Sequence, residues 1–357
     1  MRILGIDELE AGMLVGRTLY DKSGRILLQS GVPLSNEYIA GLRAKGFRKL
    51  LIRDAEVDEG IEWEEDVSEE VRARAVSTLR EAFDDIEAEL TSVKNESAQK
   101  IANAFDSDHI KALLSKNGPL ARLHSIVGEL MDDVLTRSTL AGLTSMKSSD
   151  DALLQHSIDV CAIALMVAKA LGQPDRVLRQ LATGCLLHDI GKMFISPEMP
   201  ERYAIKQHTT LGYELLKRSE DRDILAPHVA FEHHEHQDGT GLPRGLKGSN
   251  SLQRTRAVNG PVPTLIGEIP PVADAYENLI TGTAKRPGMT PDVAIRHVRE
   301  DAGSIYNKAV VTAFFRVVPV YPVGMQVILR HENFNNCTAV VMQVNSARLD
   351  RPLYTVA

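Results

Sequence analysis

Val76, Leu79, Phe83, Ile86 and Leu90 recur at alternating intervals of three and four residues, the spacing of one helical face. The pattern predicts a charged amphipathic helical region from about Val71 to Leu114, interrupted near Asn95. Its apolar stripe suits a stalk, ordinary packing or a homodimer contact, with the dimer contact preferred. From residue 118 to 318 helical segments follow one another, separated by Gly and Pro breaks. One of them, His156 to Leu171, is apolar almost all round, which predicts a central helix. Both ends of the chain change period. Leu14 to Leu28 holds short β-prone pieces around an Asp21-Lys22-Ser23-Gly24 turn signal, and a helix is predicted from Ser35 to Lys45 with Ser35 as its cap. At the other end Met325, Val327 and Leu329 alternate, Asn333 to Asn336 marks a turn, and Thr338 to Val344 reads as a strand. The expectation is a mainly α chain. It has a small α+β module over residues 1–54, an acidic linker and amphipathic helical region over 55–117, an all-helical domain over 118–318 and a small β-rich extension over 319–357.

Charge narrows the function classes. The net charge of −7 lacks the basic footprint needed to hold long nucleic acid. A small anionic substrate stays open if metal ions supply the local positive charge. Residues 55–70 form a solvated acidic run that contains Trp63, the sole tryptophan. Cys161 and Cys185 lie in apolar helical runs, Cys337 stands apart, and no Cys-x-x-Cys pair exists. That usage fits a reducing compartment. The start MRILGIDELEAG lacks a signal-peptide design, and the apolar stretch Val160 to Leu171 is interrupted by Lys169 and too short to span a bilayer. A soluble, cytoplasmic protein without a membrane partner is expected.

The histidines carry the chemistry. His188-Asp189 closes the helix LATGCLLHDIGK, on the face of Leu181 and Cys185 that otherwise reads as core. A buried carboxylate there needs a partner, and a metal ion is the simplest. Gly191 then permits a sharp exit from the helix. His208 shares a face with Leu211, Gly212 and Leu215, the position of a core histidine if it stood alone. His233 and His234 are adjacent before a glycine-rich turn and point in different directions, so they suit two ions, or one ion and a substrate. His236 reads as a surface residue. Asp274 lies in a helical, partly apolar segment, with Glu277 and Asn278 on its face as supporting groups. Imidazole and carboxylate ligands without thiolates suit Fe, Mn, Zn or Ni.

These motifs resemble the HD-GYP family, a branch of the HD phosphohydrolases, over about residues 120–318. They are His156-Ser157 opening a helix, His188-Asp189-Ile190-Gly191-Lys192, His208 with Gly212, His233-His234-Glu235 with Asp238-Gly239-Thr240-Gly241-Leu242-Pro243, and Val272-Ala273-Asp274. Leu9 to Met13 and Gly24 to Leu28 are similar to the small module often fused in front of this family. The resemblance implies an all-α catalytic domain that hydrolyses cyclic di-GMP to pGpG, GMP or both through a two-metal-activated water. It implies metal ligation by His156, His188, Asp189, His208, His233, His234 and Asp274, with Asp189 bridging. It assigns Lys192 to catalysis and phosphate contact and Arg286 to a substrate phosphate. Two divalent ions, Fe or Mn, follow, with signalling proteins as further partners. The alternative is a catalytically weak member that senses a cyclic dinucleotide or binds a protein. An HD hydrolase acting on another cyclic dinucleotide or nucleotide is a third reading.

Four departures from the family pattern bear on this. Leu242 stands where the signature has tyrosine. The stretch from Lys192 to His208 is short, which leaves the site more open. The stretch from Gly248 to Pro270 is long enough to form a lid. Ala152 stands four residues before His156, where some members carry a third-metal glutamate, and Asp151 is one residue off that register. Two ions are therefore expected, not three.

Overall fold

The computed structural model describes residues 2–16, 18–20, 26–47, 49–53, 65–94, 96–115, 118–141, 152–219, 225–253, 262–282, 286–330 and 336–356. The Asp21–Gly24 turn, Trp63, Asp151 and Lys285 lie outside them.

The first 53 residues build a small core of their own. Strand β1 (Arg2–Gly5) pairs antiparallel with β4 (Lys49–Ile52), and β2 (Leu19–Tyr20) pairs with β3 (Ile26–Leu28). Helix α1 (Asn36–Ala44) starts where Ser35 Oγ accepts from Tyr38 N–H, satisfying one of the donors a helix start leaves open. Val15, Leu19, Leu34, Leu42, Leu50 and Ile52 are buried together between these elements. The β1–β4 pair was not foreseen from the sequence.

The rest of the chain is mainly helical. Helix α2 (Glu69–Leu90) is followed by α3 (Ala98–Ala104), α4 (Asp108–Leu113), α5 (Leu123–Leu135), α6 (Ala152–Ala170), α7 (Asp175–Leu187), α8 (Glu201–Leu216), α9 (Ala226–Glu232), α10 (Leu265–Glu268), α11 (Pro270–Thr281), α12 (Pro291–Glu300) and α13 (Lys308–Phe314). Helix α6 is central, as its all-round apolar pattern predicts: α2, α5, α7, α11 and α13 pack against it. It opens at Ala152, so His156 sits one turn inside rather than at its start. It is long and apolar enough to cross a membrane by length and composition, longer than the apolar run read from the sequence, yet it lies buried in the helical core. A three-stranded antiparallel sheet ends the chain: β5 (Gln326–Leu329), β6 (Cys337–Gln343) and β7 (Leu353–Val356).

The stripe offered as a dimer contact packs inside the chain instead. Val76, Leu79, Phe83, Ile86 and Leu90 are buried in the main core, where α2 meets α5 and α6. One charged residue of α2 is buried with them. Arg72 Nη1 donates to Asp159 Oδ1 at 2.7 Å and to Gln155 Oε1 at 3.2 Å, both on α6 beside His156. Removing one partner of a buried pair costs about 3–5 kcal/mol, whereas replacing both by apolar groups is near neutral. Arg72→Leu is therefore expected to lower stability by about that amount, and Arg72→Leu with Asp159→Leu to recover most of it. Urea unfolding of the two variants checks this; equal losses in both would contradict it.

Candidate metal centre

Four stretches of helix bring the histidines together. Helix α6 carries His156 and α8 carries His208. Helix α7 ends at Leu187; His188 caps it, and Asp189 leads into a tight 3-10 turn, Ile190–Phe194. Helix α9 ends at Glu232, with His233 and His234 directly after. Helix α11 carries Asp274. Gly191 sits where the 3-10 turn meets α8: a Cβ there would collide with the His208 carbonyl oxygen and lie 2.9 Å from Gly212 N. Its φ is not positive. The glycine is thus needed for close approach, not for the sharp exit read from the sequence.

Three imidazoles are fixed in one tautomer by their own backbones. A carbonyl oxygen only accepts, so each ring nitrogen facing one must donate. His188 Nδ1 donates to Cys185 O at 2.7 Å, His208 Nδ1 to Ala204 O at 2.9 Å, and His233 Nδ1 to Ala230 O at 3.0 Å. In the neutral rings every Nε2 then presents a lone pair, and all three point at Asp189. His188 Nε2 is 3.4 Å from Asp189 Oδ2; His208 and His233 Nε2 are each 3.6 Å from Oδ1. The Nε2 atoms of His208 and His233 face each other at 3.3 Å, acceptor against acceptor. His188 Nε2 and Asp189 Oδ1 are buried without a hydrogen-bond partner. Unpartnered buried acceptors are costly, and a cation satisfies all of them at once.

His156 is held differently. Its Nε2 lies 3.0 Å from Asp274 Oδ1 and its Nδ1 2.5 Å from Glu277 Oε2. Asn278 Nδ2 donates to Asp274 Oδ1 at 2.8 Å, and Thr281 Oγ1 donates to Glu277 Oε1 at 2.5 Å. Glu277 and Asn278 thus stand where their register with Asp274 put them. Among the described residues, donor atoms of His156, His188 and Asp274 converge within 4.8 Å of one another, and so do those of His208, His233 and His234. Asp189, with His188 and His233, forms a third such group that joins the two.

Electrostatics set the rings in states suited to ligation. Burial lowers His188 to about 4 and His208 to about 3, and it holds His234 well below the usual histidine range. Neutral imidazole is the form that binds a metal. Burial alone would raise Asp189, but its neighbours His188 and Lys192 outweigh it and hold the carboxyl well below the usual carboxylate range, so it stays ionised. His156 goes the other way: burial lowers it, yet Asp274 and Glu277 on its two nitrogens raise it to about 10. A cation can take the place of that proton between His156 and Asp274.

Lys192, in the 3-10 turn, is half exposed and sets Nζ 2.5 Å from Asp189 Oδ2. Burial would lower its ammonium; the Asp189 carboxylate outweighs this and raises it. Arg286 is not gathered into the buried cluster. It is exposed on the turn after α11, with Met289 Sδ at 3.9 Å from Nη2. His236 bonds Thr240 Oγ1 at 2.9 Å near the surface. Of the long stretch read as a lid, Gly248 to Ser251 are bound down: Gly248 N donates to Gln237 O, Asn250 Nδ2 to Gly303 O, and Asn307 Nδ2 to Ser251 O. Residues 254–261 lie outside the described residues.

The HD domain family matches residues 153–279, the stretch that holds every residue of the cluster. The chain carries an HD domain. HD-domain phosphohydrolases depend on metal ions, and the convergent donors of this HD domain fit such ions. A cyclic di-GMP phosphodiesterase of Pseudomonas aeruginosa is 30% identical over 58% of this chain and 50% of its own length. Another, from Thermotoga maritima, is 30% identical over 46% of this chain and 44% of its own. The chain thus spans about half the length of the curated relatives it matches. A solved structure of an HDG"Y"P protein from Bdellovibrio bacteriovorus overlays with a TM-score of 0.41 at 17% identity, over 87% of this chain and 97% of its own.

The buried carboxylates around the histidine pair were missed in the sequence. Glu232 accepts from Thr264 N and Oγ1, each at 2.7 Å, and from Arg244 Nη2 at 2.6 Å. Glu268 accepts from Gln237 Nε2 at 2.8 Å and Asn307 Nδ2 at 2.7 Å. An acid at the end of an apolar helix, as in AFEHH, was the available signal.

Proposed function

We propose that this HD domain hydrolyses cyclic di-GMP to pGpG, GMP or both, using two divalent ions, Fe or Mn. The observation that carries the reading is the convergence of imidazole lone pairs on the buried, ionised Asp189. The names of the Pseudomonas and Thermotoga relatives support the substrate. His156, His188 and Asp274 would hold one ion, His208, His233 and His234 the other, with Asp189 shared between them. When bound, such a pair supplies Lewis acidity toward phosphoryl oxygens and makes a water acidic enough to attack near neutral pH. Asp189 keeps its charge in the buried site beside the Lys192 ammonium. Lys192, half exposed and anchored on Asp189, is positioned to donate to a non-bridging phosphate oxygen as charge builds there. Arg286, exposed past α11, is assigned to a second phosphate of the substrate. Residues 118–318 form the catalytic domain in this reading, and residues 1–54 a regulatory module.

Anaerobic purification, metal analysis and identification of the product from cyclic di-GMP test the proposal together. About two equivalents of Fe or Mn and a linear product are expected. Tight nucleotide binding without turnover under any metal would replace the enzyme by a sensor. Protein that holds no metal would remove the site itself.

A further inference from the structure

The two halves of the candidate centre are not held alike. The rings of His188, His208 and His233 are each pinned by a backbone carbonyl, and that of His156 by Glu277. Among the described residues, the ring of His234 has no hydrogen-bond partner; it lies against the rings of His208, with centroids 5.2 Å apart, and His233, at 4.2 Å. Its direction therefore depends on the backbone that bears it. That backbone is fixed from the loop that follows. Leu242 N donates to His234 O at 2.8 Å. The next residue, Glu235, is 5% exposed, and its two carboxylate oxygens accept from Arg244 N at 2.8 Å and Leu246 N at 2.7 Å. On the other side of the histidine pair, Glu232 takes the Arg244 guanidinium, which also lies over the Phe231 ring at 4.5 Å. A Cβ at Gly241 would collide with His236 N and lie 2.5 Å from His234 O, so the loop is folded tightly onto the pair. Residues 241–246 form a strap tied to the residues flanking His233-His234.

We infer that Glu235 is a positioning residue for His234, and that through it the strap governs the ion held by His208, His233 and His234. The inference rests on the two-ion reading above. It makes that ion the more readily lost of the two, because one of its three ligands is aimed by a loop rather than by its own hydrogen bond. It also gives the segment containing Leu242 a role in metal retention that does not require a tyrosine.

The test compares wild type, Glu235→Gln, Glu235→Ala, His234→Ala and the Glu235→Ala/His234→Ala double variant, purified anaerobically and titrated with Mn. Wild type is expected to hold about two equivalents and Glu235→Ala about one, the affinity for the second falling about 10- to 100-fold. Glu235→Gln should fall between, because its amide keeps one acceptor oxygen for two N–H groups. The double variant should bind Mn no worse than His234→Ala alone, the signature of two residues acting through one. A general loosening of the fold would lower both affinities and add in the double variant, and that result overturns the inference. So does a Glu235→Gln protein that holds two equivalents with wild-type affinity, and this variant serves if Glu235→Ala does not fold. Fewer than two equivalents in wild type would instead overturn the two-ion reading, and the inference with it.

Discussion

On the proposed function, Asp189→Asn is expected to yield a folded protein that retains no metal through anaerobic purification and whose hydrolysis of cyclic di-GMP falls at least about a thousandfold. Lewis-acid stabilisation of a phosphoryl transition state is worth several kcal/mol, and each 1.4 kcal/mol is a factor of ten in rate. Asp189 lies within 3.9 Å of a ring nitrogen of His156, His188, His208 and His233, so its charge is common to both triads. Asparagine keeps the shape and removes that charge. Its amide also brings N–H donors toward the Nε2 lone pairs of His208 and His233, which supplies partners those atoms otherwise lack. Thermal unfolding in EDTA should therefore show the variant close to wild type, the new amide contacts offsetting the lost Lys192 ion pair. With Mn added, wild type gains stability by mass action and the variant does not. A variant that keeps its metal, or that loses stability in EDTA, would show that Asp189 holds the fold rather than the ions.

The fold was legible where one element explains itself. The apolar surround of α6 marks a central helix, Ser35 marks the start of α1, and the alternation at Val327 marks β5. What escaped depends on residues far apart in the chain. β1 and β4 pair across the whole first module, from Arg2 to Ile52, and no hairpin joins them to announce the pairing. Arg72 reads as one more charge on an amphipathic helix; only the packing of α2 on α6 buries it against Asp159. The stripe on α2 shows the same limit, because periodicity reveals an apolar face and not what covers it.

The centre was legible in pieces of unequal strength. His188-Asp189 and His233-His234 stand out as polar pairs at the ends of apolar helices. His208 alone would pass for a core histidine, and only its Nε2, 3.3 Å from that of His233, separates the two cases. Glu277 could be named because it shares a helical face with Asp274. Glu235 was visible only as a letter of a motif, since its role lies in accepting two N–H groups nine and eleven residues further on.

Gly191→Ala is expected to lower stability by about 3 kcal/mol, the upper part of the usual range for overpacking, and to release the ion assigned to His208, His233 and His234. A helix side chain can often turn away from an intruding methyl group, but here both obstacles are backbone: the carbonyl oxygen of His208 and the amide nitrogen of Gly212. The turn and α8 must therefore separate. Asp189 is two residues from Gly191, and its Oδ1 is 3.6 Å from His208 Nε2, so any separation opens the gap between the shared carboxylate and the second triad directly. Gly212→Ala provides the control from the other side of the same contact. Its Cβ would meet Ala230 Cβ at 3.5 Å and Gly191 N at 3.6 Å, ordinary van der Waals distances. As a glycine inside α8, it should gain up to about 1 kcal/mol from alanine's helix propensity. Unfolding curves and Mn titration of the two variants should thus diverge in both sign and stoichiometry. If Gly191→Ala unfolds like wild type and holds both ions, the close approach of the 3-10 turn to α8 is not what assembles the centre.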